Sequence, residues 1–277
     1  MAHHLGKRPA RPYTSDHTPM AELLRAVPSG SIPPIPANFG HGYDFGATGW
    51  GMMGNGLCDD GSITDTSLYA YGGGGDCVWA KFSHGFMESA RNAGRPIPKF
   101  TCASTLNNYC AYLGIGSYEN LNASNDQGSD MQEALKRAQT QGYTDAGGNV
   151  YKIGKTVSGT PGNLQELWAI AYLFELADIG VNLQQAQENA FPGPWTYVAG
   201  SPTIGGHCVP VMGNNGLITW ADRVGFTQSF FEQLCDEFYG YIDPLRYNRV
   251  TGETLEDYTD ADLEKYVVLV AQQKAAR

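Results

Sequence analysis

The sequence predicts an α+β domain: a helical half, then a strand-rich half of antiparallel sheet, behind an extended N-terminal arm. Three observations carry this. Between residues 77 and about 174, apolar side chains recur at helical spacing in four separate stretches. From residue 177 onward, short alternating stretches are set apart by Gly and Asn turns such as Gly213-Asn-Asn-Gly216. Ahead of both, Pro9, Pro12, Pro19, Pro28, Pro33, Pro34 and Pro36 forbid a long helix, because proline lacks the amide donor and clashes with the preceding turn. Helices first and strands second is the order of an α+β domain.

Taken in order, residues 1–48 form the arm, 49–250 the main domain and 251–277 an acidic, then apolar tail. Within the arm only residues 20–26 suit a short helix, and an arm of this kind needs a surface, its own domain or a neighbouring subunit. The glycines at 72–75 end in Asp76-Cys77, which opens a helix to about residue 93 with Val78, Phe82, Gly85 and Phe86 on one side. Residues 101–113 follow as a second helix. Ser129-Asp-Met-Gln132 and Asn163-Leu-Gln-Glu166 read as capping boxes for two more. Strands are expected at 150–153, 177–183, 195–198, 206–212, 217–220 and 239–243, with a helix capped by Thr227 that carries Phe230, Phe231, Leu234, Cys235 and Phe238.

Composition excludes several classes. Hydrophobic residues make up 42% of 277, enough for a sizeable core, while only 17% are charged and 35 are Gly, which fits many turns better than a helical bundle. A net charge of −10 argues against a nucleic-acid partner. No apolar run approaches the ~20 residues that span a bilayer. The N-terminus has no apolar signal core, so a protein that is cytoplasmic in a host or virion-associated is expected, rather than one secreted by the usual route. The six cysteines, Cys58, Cys77, Cys102, Cys110, Cys208 and Cys235, form no CxxC pair, so no zinc or redox motif, no other metal and no cofactor is expected. Asp126, Asp130 and Glu133 read as an acidic helix start. The glycine run is no phosphate loop, because no Gly-Lys-Ser/Thr follows it.

The chemistry centres on Cys77. A thiol at the first turn of a helix meets unpaired backbone N–H groups that favour the thiolate, and the glycines before it allow a close approach to a bound group. A buried structural cysteine after a loop fits the same residues. A nucleophilic thiol needs a base. His3, His4, His17 and His41 lie in the arm, and His84 sits two helical turns from Cys77, ~10 Å along the axis. His207 remains, in Gly205-Gly206-His207-Cys208-Val209, where the two glycines leave room for a ligand or the ring is simply a packed core residue.

These residues resemble the papain-like cysteine peptidases, and more narrowly a branch met in bacteriophage and bacterial genomes. The resemblance rests on Leu5-Gly-Lys-Arg-Pro-Ala-Arg11, Trp50-Gly-Met-Met-Gly-Asn55, Gly75-Asp76-Cys77, Asp126-Gln-Gly128, Leu173-Phe174 with Ile179-Gly-Val-Asn-Leu183, Gly205-Gly-His207, Thr219-Trp220 and Cys235-Asp-Glu237. It runs in order across most of the chain. It implies a papain-like fold whose strand-rich half is a half-barrel, with Cys77 as nucleophile, His207 as general base and Asn55 as the oxyanion donor beside the Cys77 backbone N–H. About fifteen extra residues separate Asn55 from Gly75-Asp76-Cys77, so Tyr71 is a second candidate donor.

The pattern also calls for an Asn two residues before Trp220, to orient the histidine. Ile218 stands there, which leaves Thr219 or Asp222 as orienting residues and implies that Asn at position 218 would raise turnover. The expected function is therefore a papain-like thiol hydrolase acting on a peptide or amide bond of a protein substrate, weak or inactive. The alternative is a virion structural protein, a capsid decoration or tail-associated subunit, that uses the fold as a packing module. Its partners would be phage structural neighbours or further copies joined through the arm.

Overall fold

In the computed structural model, which describes residues 5–26, 34–40, 43, 51–56, 58, 60–63, 73–214 and 216–275, the arm lies along its own domain. Thr18–Pro19 (β1) and Met20–Ala26 (α1) come first, and α1 buries Met20 and Leu23. The helical half holds Cys77–Asn92 (α2), Cys102–Leu113 (α3) and Met131–Thr140 (α4), closed by a small hairpin of Tyr143–Thr144 (β2) and Val150–Tyr151 (β3). The second half runs Thr156–Ser158 (β4), Leu164–Leu173 (α5), Leu176–Gln184 (β5), Gln185–Ala190 (α6), Thr203–Met212 (β6), Leu217–Thr219 (β7), Asp222–Val224 (β8), Gln228–Leu234 (α7) and Cys235–Tyr241 (β9). Asp260–Ala275 (α8) ends the described chain. Trp50, Tyr71, Gly72, His3, His4 and His41 lie outside the described residues.

One seven-stranded sheet, in the order β1-β4-β9-β5-β6-β7-β8, divides the packing. Its strands pair antiparallel except β1 with β4. Alternation along β5 sends Ile179, Val181 and Leu183 into a core shared with α1, α5, α7 and α8. The opposite face carries Leu176, Cys208, Met212, Tyr239 and Tyr241 against α2, α3 and α4. The long antiparallel β5–β6 ladder and its neighbours give the strand-rich half that the sequence predicts.

α2 is buried from Cys77 through Ala90, polar residues included, because it lies between the other helices and the sheet. Lys81, in its middle, is ion-paired with Asp178 of β5 and sits 3.5 Å from the Phe82 ring centroid. A buried cation is tolerable only with such a partner.

Several expected boundaries move. Asp130, not Ser129, caps α4 by accepting from the Glu133 N–H. Ser129 instead accepts from Trp79 Nε1 at 2.8 Å. The helix capped by Thr227 ends at Leu234, and Cys235 and Phe238 belong to β9. Trp195 makes only an isolated bridge to Phe226 rather than a strand. A disulfide joins Cys58 to Cys102 at the start of α3, and Cys77, Cys110, Cys208 and Cys235 are free and buried. Among the described residues, no helix is long and apolar enough to cross a membrane.

Candidate active site

Cys77 opens α2, yet the residue before it, Asp76, makes no side-chain capping bond. The loop is held from outside. The Gly75 N–H donates to Asp126 Oδ2 at 2.7 Å, and Asp126 also accepts from the Tyr109 hydroxyl. The Gly74 N–H donates to the Gly54 carbonyl at 2.9 Å, and Asn55 Nδ2 donates to the Gly74 carbonyl at 3.0 Å. Asn55 therefore comes back alongside the thiol loop across the intervening residues.

From the sheet side, β6 presents His207 and the β7–β8 hairpin presents Thr219 and Trp220. His207 Nε2 lies 2.8 Å from Thr219 Oγ1. The imidazole stacks on Trp220 with centroids 4.9 Å apart, and Trp220 Nε1 donates to Asn55 Oδ1 at 2.8 Å. A continuous chain of contacts thus runs from Thr219 through His207, Trp220 and Asn55 to the backbone just before Cys77. Cys77, Asn55, His207, Thr219 and Trp220 line one cavity of about 10 Å³, room for about one water.

The hairpin that supplies Thr219 and Trp220 pairs Thr219 with Asp222, leaving Trp220 and Ala221 as a two-residue turn at φ 47° and 63°. Positive φ at both turn positions is the type I′ pattern that normally selects Asn and Gly. A tryptophan there is strained, and such strain gathers at functional sites. The turn carries the indole over the imidazole.

The other candidates do not meet the ring. Ile218 packs into the helical core and borders the cavity, but it has no polar atom to offer the histidine. The Asp222 carboxylate accepts from its neighbour's N–H, on Arg223, and does not reach the histidine. His17 is buried against Thr156 and Tyr239. His84, set aside on helical spacing, does border the cavity, with Nε2 3.3 Å from the Gly51 carbonyl. Among the described residues no cluster of His, Cys, Asp and Glu could hold a metal ion.

The thiol is not the low-pKa group that its helix position suggests. Burial pushes Cys77 up to about 12, and hydrogen bonds from the Gly6 and Cys208 backbone N–H groups offset this only in part. Desolvation outweighs the dipole of a helix end here. Asp76, buried beside it, is likewise held well above the usual carboxylate range by burial, with Asp126 adding repulsion.

The arm adds to that burial, a role for it that the sequence did not reveal. The Lys7 N–H donates to the Gly206 carbonyl at 3.0 Å, immediately before His207. On the other side the Ser129 N–H donates to the Gly6 carbonyl at 2.7 Å and the Arg8 N–H to the Ser129 carbonyl at 2.9 Å. The arm is thus stitched to both halves across the thiol. Side chains would prevent this: a Cβ on Gly6 would lie 1.6 Å from the Gly75 oxygen, and one on Gly206 would lie 2.3 Å from the Lys7 oxygen. A signal was available in Lys7, Arg8 and Arg11, a basic cluster in a chain of net charge −10.

The architecture is the papain-like cysteine protease fold. Xylellain, a cysteine protease from Xylella fastidiosa, matches with a TM-score of 0.56 at 12% identity, over 87% of this chain and 96% of its own. Procathepsin B S9 from Trypanosoma congolense matches with a TM-score of 0.49 at 12% identity, over 86% of each chain. No protein-family model matches the sequence, and no curated protein does.

Proposed function

We propose that the chain is a thiol hydrolase of peptide or amide bonds, held closed by its own N-terminal arm. The observation that carries this is the convergence of Cys77, His207, Thr219, Trp220 and Asn55 on one cavity at the N-terminus of α2. Cys77 is the nucleophile and His207 the base that takes its proton and returns it to the leaving amine. Thr219, bonded to Nε2, is the positioning residue that fixes the ring, and Nδ1 is the nitrogen that would serve the thiol. Asn55, whose Nδ2 donates to the Gly74 carbonyl just before Cys77, is the candidate donor to the oxyanion beside the Cys77 N–H. Trp220 holds the Asn55 carbonyl and so fixes that side chain beside the thiol loop. In the closed form the cavity excludes substrate and the thiol is neutral, so the arm must leave before chemistry begins.

The test is hydrolysis of fluorogenic peptides by the full-length chain carrying Gly6→Val, which the Gly75 clash forces out of the cleft. Turnover that disappears in Cys77→Ala and in His207→Ala supports the reading. An arm-released chain whose thiol reacts no faster than a model thiol, and which cleaves nothing, would sink it.

The closed thiol favours one second reading, a non-catalytic protein that keeps the fold as a packing module and its cysteine as core. That reading predicts that Cys77→Ala leaves assembly and stability intact and that no variant acquires turnover.

A further inference from the structure

The Lys7 side chain leaves the cleft for a pocket between β5 and β9. Its stem passes over Gly180, where a Cβ would lie 2.2 Å from Lys7 Cε. The ammonium donates to Asp236 Oδ2 at 3.0 Å and to the Arg8 carbonyl at 3.1 Å, and it pairs with Glu237 Oε1 at 3.2 Å. With Asp236 Oδ1 at 2.8 Å, four oxygens from three residues surround its three protons. The Lys7 and Glu237 side chains are 0% and 3% exposed.

Two consecutive residues of a strand normally face opposite ways. Here the β5–β9 register shifts between Gly180, paired with Glu237, and Val181, paired with Cys235. Asp236 is the extra residue, and such a bulge re-aims a side chain. Both carboxylates are held in place from behind: Asn182 Nδ2 donates to Asp236 at 3.2 Å and the Tyr239 hydroxyl donates to Glu237 at 2.9 Å. Burial works against the Lys7 charge, but Glu237 and Asp236 outweigh it and hold the ammonium above its ordinary range. Emptied of lysine, the pocket would leave a buried carboxylate unpaired, which is costly.

The pocket belongs to the cleft. Lys7 is bonded through its backbone to the residue before His207, and Gly6, its neighbour, reaches the Cys77 sulfur. What Gly6 offers the sulfur is an N–H and not a carbonyl carbon, so the arm fills the cleft without being set for attack. We infer that the Asp236–Glu237 pocket selects the substrate, and that the substrates are peptides placing a lysine-type cation there, one residue from the residue seated at Cys77. Lys7 stands in for that side chain. The inference rests on the hydrolase reading of the cleft.

Binding and cleavage separate the two. The full-length chain with Gly6→Val, and independently with Lys7→Glu, which places a carboxylate against Asp236 and Glu237, has its cleft open to a labelled peptide of residues 5–11. By fluorescence anisotropy that peptide binds about 10²-fold more tightly than the same peptide with methionine for lysine, the scale of stranding a buried charge. The preference collapses in Glu237→Gln. Fluorogenic peptides with lysine, leucine or glutamate at the pocket position then report turnover. Lysine-selective binding without turnover keeps the pocket and removes the hydrolase. Turnover indifferent to lysine keeps the hydrolase and overturns the pocket, as does equal binding, or no binding, of the two peptides.

Discussion

Thr219 Oγ1 sits 2.8 Å from His207 Nε2, in the place where the papain-like pattern puts an asparagine one residue earlier. A hydroxyl can accept the ring N–H as an amide carbonyl does, so the ring is oriented although Ile218 has no polar atom. In an arm-released background, Thr219→Val should lower kcat about 10²-fold, and Thr219→Ser should restore much of it. The pH profile of kcat/KM is the decisive readout, because a lost positioning residue moves the ring's apparent pKa and a packing defect does not.

Ile218→Asn gives the opposite of what the sequence pattern implies. Ile218 is buried in the core that packs against α2, and it borders the cavity through an apolar side chain while Thr219 holds the ring. An amide there would go unpaired, at a cost of about 3 kcal/mol. Thermal denaturation should show a clear drop in Tm with no gain in turnover. A gain would mean that the hairpin shifts register to bring residue 218 to the ring.

Gly6→Val should unmask the thiol. With Cys77 pushed up to about 12 by burial, its thiolate fraction near neutral pH is on the order of 10⁻⁵. In the wild type, alkylation should be slow and should rise about tenfold per pH unit up to that value. Freeing the arm returns the thiol to solvent and to the helix end, and the rate should rise on the order of 10³-fold. Mass spectrometry of the alkylated peptide reads both rates; equal rates would show that the arm does not guard the site.

Acidic pH should stabilise the far side of the molecule. Burial pushes Glu175 from 4.5 up to about 8 despite the Arg246 charge, and Glu256 up to about 7. The unfolded chain releases these protons near pH 4.5 while the folded chain keeps them, so between about 4.5 and 8 the unfolded state binds fewer protons. Stability therefore falls as pH rises through that window. Glu175→Gln keeps the Oε1 that accepts from the Leu255 N–H. It should raise Tm at pH about 8, where a few kcal/mol are at stake, and change little at pH about 5. Identical shifts at both values would count against a neutral Glu175.

What was legible in the sequence was mostly local. Asn163 caps α5 because its side chain reaches the backbone N–H groups of Gln165 and Glu166 without help from afar. The helix at Cys77, the strand carrying His207 and the order of the two halves follow from spacing along the chain. What was not legible depends on partners distant in sequence. Ser129 looks like a cap, but Trp79 and the arm claim it. Thr219 and Asp222 were equal candidates in the sequence, and only a two-residue turn at Trp220 and Ala221, which lacks the usual turn residues, puts Thr219 and not Asp222 at the ring. The pairing of Asp236 with Glu237 needed a bulge that no periodicity records, in a segment expected to be helical.

The stack of His207 on Trp220 has an optical consequence. An imidazolium takes an electron from an excited indole readily, and a neutral imidazole does so poorly. At 4.9 Å between centroids, the emission of Trp220 should dim as the ring gains its proton. The difference between wild type and Trp220→Phe isolates that signal from the other indoles. The ionisation of the histidine can then be followed in the resting protein by fluorescence titration, without substrate and without turnover.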